Sequence, residues 1–99
     1  TATGTVARLS PLDALVVAAH DLELDGTVLA AALGSDAGYV GAVGGRRMQA
    51  ARADWLAYRG HTDRGRIHAP AGLDIGADAP AEVAIAILAE ALAALRRSP

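Results

Sequence analysis

The sequence predicts an α/β fold: a three-layer domain on a parallel sheet of at least three strands, in the order β-α-β-α-β-α. Three observations predict it. Short apolar runs at residues 14–19 and 39–43 and a short strand at 66–69 recur along the chain, and each is followed by a stretch that reads as a helix. The run at 14–19 is continuous rather than alternating, as suits a strand covered on both faces. The helix-length segments between the runs join strands in parallel through right-handed crossovers.

Thr1–Ser10 has mixed character and reads as a lead-in, which places the domain proper at residues 13–99 behind a segment at 1–12. Pro11 and Asp13 set up ALVVAA at 14–19, a strand ending at His20-Asp21. Leu24–Leu33 follows as a helix with Leu24, Val28, Ala31 and Ala32 on one face, closed by Gly34 as C-cap. Tyr39–Val43 is the second strand, broken by Gly44-Gly45. Arg46–Arg59 reads as a helix through Met48, Ala51, Trp55 and Tyr58, and Gly60 stops it. Arg66–Ala69 is a short third strand bounded by Pro70, and GLDIGA at 72–77 is a loop. Pro80 suits a first helical position, with Asp78 or Ala79 as cap and Glu82 in the first turn. This last helix runs to about Arg97, where Arg96 and Arg97 complement its negative end. Ile85, Leu88, Leu92 and Leu95 form its main stripe and alanines fill the other faces, which predicts deep packing. Three parallel strands make a thin sheet whose edges call for more strands. The expected remedy is a missing N-terminal half of a larger doubly wound sheet, or a second copy in a homodimer.

The 99 residues allow one small domain, and a hydrophobic fraction of 53% excludes a disordered segment. There is no Phe and one Trp, so the interior has to be built from small aliphatic side chains. A net charge of −2 leaves no basic footprint for nucleic acid. No apolar run reaches the roughly 20 residues of a membrane span, since Pro80–Leu95 carries Glu82 and Glu90. Thr1–Ser10 lacks the basic start and apolar segment of a signal peptide. The absence of cysteine removes disulfides, thiolate metal sites and cysteine nucleophiles. A cytoplasmic setting is the expectation. All nine basic residues are arginine, which with the alanine excess points to a GC-rich bacterial genome. The start at Thr1 without methionine suggests a piece of a longer chain.

Ligands of open parallel sheets sit beyond the carboxyl ends of the strands, where His20-Asp21, Gly44–Arg47 and Pro70–Gly76 all fall. Gly44 and Gly45 admit close backbone approach, and the first amides of the next helix have no intrahelical partners. Arg46 and Arg47 add donors suited to phosphate. Equally, the glycines turn a corner and the arginines sit in water. Neither a GxGxxG nor a Walker pattern is present. His20 reads as a proton shuttle, a metal ligand or a structural residue; Asp21 either orients it or caps the next helix. His61 and His68 are not obviously adjacent, so no metal site is expected. Asp74, between Gly72 and Gly76, either bonds its own loop or faces a ligand. Ser10, Ser35 and Ser98 are poorly placed for acyl transfer, and Glu82 and Glu90 read as cap- or edge-facing carboxylates. No catalytic residue is assigned.

Taken together, ALVVAAHD at 14–21, YVGAVGGRR at 39–47 and RIHAPAGLDIGADAPAEVAIAILAE at 66–90 resemble the C-terminal domain of the XdhC/CoxI family, accessory proteins of xanthine dehydrogenase and related molybdenum hydroxylases. The third block is the most distinctive. The resemblance implies a Rossmann-like domain of which this chain supplies the second half. It also implies an accessory protein, without turnover of its own, that binds the molybdenum cofactor (molybdopterin). A cysteine desulfurase and the molybdenum hydroxylase apo-enzyme are the implied partners. The family's Thr-His-Asp corresponds to Ala19, His20 and Asp21. Its Gly-Ser-Arg-Arg-Thr corresponds to Gly44, Gly45, Arg46, Arg47 and Met48, so both hydroxyl positions are lost. Two other readings stand beside this one. The first is an NAD(P)-binding oxidoreductase domain, weakened by the missing GxGxxG and acidic ribose partner. The second is a non-catalytic oligomerisation module.

Overall fold

In the computed structural model, which describes residues 2–61 and 63–97, seven elements follow one another along the chain, with one 3-10 turn at Arg64–Arg66. They are α1 (Ala2–Val6), β1 (Ala14–Val17), α2 (Leu22–Leu33), β2 (Tyr39–Ala42), α3 (Arg46–Tyr58), β3 (Ile67–His68) and α4 (Pro80–Arg97). The strands form one parallel sheet in the order β1-β2-β3, with Ala14 beside Tyr39 and Val40 beside Ile67.

Side-chain alternation along the strands separates the layers. Val17, Val40 and Ala42, with Leu15 and Ile67 partly buried, face α2 and α3 and form the core with Leu29, Ala32 and Leu56. Tyr39 points to the opposite face, where its hydroxyl meets Glu90 of α4. Gly41 shares that face, and a Cβ there would lie 2.8 Å from the Tyr39 ring. The predicted α/β class and parallel three-layer order are therefore present. The lead-in contains α1, whose Val6 joins the core with Leu9 packed against it.

Several details differ from expectation. β1 ends at Val17, and only one of its faces is covered: Ala14 and Val16, in register with Tyr39 and Gly41 on the α4 side, are exposed. α4 packs over β2 and leaves that side of β1 bare. On α2 the buried residues are Asp25, Gly26, Leu29 and Ala32, while Leu24 is exposed. On α3 they are Arg52 and Leu56, and Tyr58 stands in solvent. Most consequentially, Ile85, Leu88 and Leu92 of α4 are 61%, 68% and 53% exposed. The helix turns its small side, Ala86 and Ala91, into the sheet instead, because the tyrosine and histidine rings on that face leave room only for short side chains.

Candidate functional site

At the carboxyl end of the sheet, the Val43–Gly45 turn and the 70–78 loop enclose a cleft of about 1070 Å³, closed on one side by Val83 and Ala86 of α4. A recess beside it is lined by Gly44, Arg46, Gln49, Ala69 and Pro70. Gly44, Gly45, Gly72, Asp74 and Gly76 thus line one cleft, and Arg46 lines the adjoining recess. His20, Asp21 and Arg47 are not among the residues lining either.

Each wall is held from behind. The Val43–Gly45 turn is fixed by α3. Gln49 Nε2 donates to the carbonyls of Ala42 (2.8 Å) and Gly44 (3.2 Å), and Arg52 Nη1 donates to Val43 O (2.8 Å). Arg52 in turn gives Nε and Nη2 to Asp25 Oδ2 at 3.1 and 2.6 Å, a pair fully inside the protein. Gly44 has φ +148°, and a Cβ there would lie 3.1 Å from Arg52 Nη1, so glycine is required by both backbone and space. Gly45 is the N-cap of α3, with no side chain bonding the helix start. The first N–H groups of this 13-residue helix therefore have no acceptor among the described residues and carry its positive end.

The opposite wall is held by α4 and β2. Ala71 N–H donates to Ala42 O (3.0 Å), Leu73 N–H to Ala86 O (3.2 Å), and Gly72 N–H to Glu90 Oε1 (2.9 Å). The same carboxylate oxygen accepts the Tyr39 hydroxyl at 2.5 Å, and His68 Nδ1 lies 3.6 Å away, its ring stacked on Tyr39. Burial raises the Glu90 carboxyl, but the Tyr39 and Gly72 hydrogen bonds and His68 outweigh it and hold the group below its ordinary value. Burial first, then the hydrogen bond to Glu90 and the charge of that group, push the Tyr39 phenol well above its ordinary range. Further along, Glu82 Oε1 accepts the N–H groups of Asp78 and Ala79 at the start of α4.

Of the remaining expectations, Asp21 caps α2, accepting Leu24 N–H at 3.1 Å. His20, just before it, is exposed with φ +57°, the left-handed region. Asp74 is exposed, and neither its carboxylate nor the guanidinium of Arg46 or Arg47 has a hydrogen-bond or ion-pair partner among the described residues. Arg52, Asp25, Gln49, Glu90, Tyr39 and His68, which shape the site, were not singled out from the sequence for that role. A usable signal exists for two of them: Asp25 and Arg52 stand four residues before Leu29 and Leu56, on the faces that are buried.

The arrangement is bipolar. Bare amides and Arg46 favour an anionic group at the Gly44–Gly45 side, whereas Asp74 offers a free acceptor to N–H donors across the cleft. No group of three or more His, Asp or Glu among the described residues could hold a metal ion, and no helix among them is long and apolar enough to cross a membrane.

In comparison with known proteins, the family model of the XdhC Rossmann domain matches residues 1–91. No curated protein matches the chain.

Proposed function

The chain belongs to the XdhC Rossmann-domain family, and from that premise we propose that it is an accessory module for the maturation of molybdenum hydroxylases, holding the molybdenum cofactor in the cleft. The observation that carries this reading is the uncapped start of α3 behind Gly44 and Gly45, open to the same cleft as the 70–78 loop. The cofactor's organic part fits this polarity. Its phosphate matches the α3 amides and Arg46, and its pterin N–H groups match the Asp74 carboxylate. When bound, the group would supply the metal–sulfur chemistry of the recipient enzyme; this chain's residues bind and orient it. The chain has no cysteine, so it holds no thiol to carry a persulfide.

Anaerobic calorimetry with isolated molybdenum cofactor tests the reading. Saturable binding is expected, weakened at least about tenfold, or ~1.4 kcal/mol, by Arg46→Ala and little changed by Arg47→Ala, whose side chain stands outside the cleft. No saturable binding of the cofactor would sink the proposal, and saturable binding of NADH in its place would favour the dinucleotide reading.

A further inference from the structure

We propose that the outward face of α4 (Pro80–Arg97) docks against the same helix of a second copy, antiparallel, across a two-fold axis near Leu88 and Ala89. Ile85, Leu88 and Leu92 recur at helical spacing and are each more than half exposed, forming a contiguous apolar stripe of the kind that marks an interaction surface. Glu90, the one charged residue between Glu82 and Arg96, is turned inward to Tyr39 and Gly72. The stripe is therefore free of charge along its length.

The occupant follows from what bounds the stripe. An acidic side chain, Glu82, stands at its N-terminal end and a basic one, Arg96, at its C-terminal end, both exposed. A parallel partner helix would set like charges together. An antiparallel copy centred between residues 88 and 89 sets Ile85 against Leu92 of the second copy. It also brings Glu82 within one residue of Arg96 of that copy, twice over by symmetry, which is the self-complementarity an isologous contact requires. The helix dipoles then also oppose favourably. With about 1.5 Å of rise per residue, an 18-residue helix offers a face about 27 Å long. Such a face, about 10 Å wide, is smaller than a stable interface needs, so a weak, readily exchanging dimer, with a Kd on the order of 100 µM, is the expected state.

Sedimentation velocity on the full chain, from about 10 µM to 1 mM to bracket that affinity, reads the outcome. The wild type is expected to shift from monomer to dimer across the range. Leu88→Glu should remain monomeric throughout with an unchanged Tm, because the side chain packs against little in the monomer. Arg96→Glu, which leaves the start of α4 untouched, should weaken the dimer several-fold at low salt. A wild type that stays monomeric at the highest concentration overturns the proposal and assigns the face to some other partner. A dimer indifferent to Leu88→Glu, or to Arg96→Glu at low salt, overturns it as well.

Discussion

Replacing Arg52 by methionine removes the cation from a buried pair while keeping most of the side-chain volume. Arg52 and Asp25 are 2% and 1% exposed, and Arg52 makes four hydrogen bonds: two to Asp25 Oδ2, one to Val43 O and one to Gln49 Oε1. The variant leaves Asp25 as a buried charge without a counter-ion and Val43 O with one donor fewer. Breaking a buried pair from one side costs about 3–5 kcal/mol, against a total of about 5–15 kcal/mol for a typical domain. At about 4–8 °C per kcal/mol for a chain of this length, Tm should fall by roughly 12–40 °C. Urea unfolding followed by circular dichroism measures the loss. The companion variant Asp25→Leu/Arg52→Met removes both charges, and should recover much of the stability because no lone charge is left inside. If Arg52→Met alone stays within about 1 kcal/mol of wild type, or the double variant loses the full sum of the singles, the pair does not hold α2 to α3.

Gly26→Ala would set a Cβ 2.5 Å from Trp55 Cδ2; overpacking of about 1–3 kcal/mol and a changed Trp55 emission are expected, and an unperturbed spectrum would refute the close packing. Gly72→Ala puts a side chain at φ +110° with its Cβ 3.3 Å from Ala86 Cβ; a loss of about 1–3 kcal/mol should appear in urea unfolding, and a neutral result would mean that the loop adopts another path. The Glu90 carboxyl lies below its ordinary value in the folded chain, so its contribution is present above about pH 4.5, the unfolded value, and is lost as pH falls through the lowered folded one. The stability gap between wild type and Glu90→Gln should accordingly narrow on acidification below that point, and a gap that widens instead would contradict the sign. The Tyr39 phenol should titrate well above the ordinary value of 10.0 in ultraviolet difference spectra, and should shift down in Glu90→Gln.

The order of elements was legible because it rests on signals that are local. Continuous apolar runs, Gly34 as the C-cap of α2 and Pro80 at the first turn of α4 stand where the sequence puts them. Helix faces were less legible, because alanine-rich helices have no single apolar side. Periodicity picks out Ile85, Leu88 and Leu92 as the side of α4 that should be buried. Packing chose Ala86 and Ala91, because the side facing the sheet must also present Glu90 to Tyr39 and Gly72. The same conflict decided α2. A stripe through Leu24 would have left Asp25 in water, whereas the fold buries Asp25 against Arg52, 27 residues away. A pairing across that separation leaves no local trace. At the site, the glycines and Asp74 were visible as departures from regular structure. The side chains that hold them, Gln49, Arg52 and Glu90, were not, since each looks like an ordinary polar helix residue until its partner is known.

That division has a physical origin in how the cleft is built. A surface made of backbone and glycine has no side-chain packing of its own to fix its shape, and exposed loops ordinarily pay for that in mobility. Here the Val43–Gly45 turn hangs from Gln49 and Arg52 on one side of the sheet, and the Ala71–Leu73 stretch hangs from Glu90 and the Ala86 carbonyl on the other. Both walls also join β2: Gln49 Nε2 and Ala71 N–H donate to the same carbonyl, Ala42 O. The two helices therefore set the cleft's width against a shared strand, and α4 adds only Val83 and Ala86 to its lining. Its polar lining is bare amide at Gly44–Gly45, the Arg46 guanidinium in the adjoining recess, and Asp74 and Asp78 on the 70–78 loop, a polarity suited to a ligand with a negative end and a hydrogen-bond-donating one.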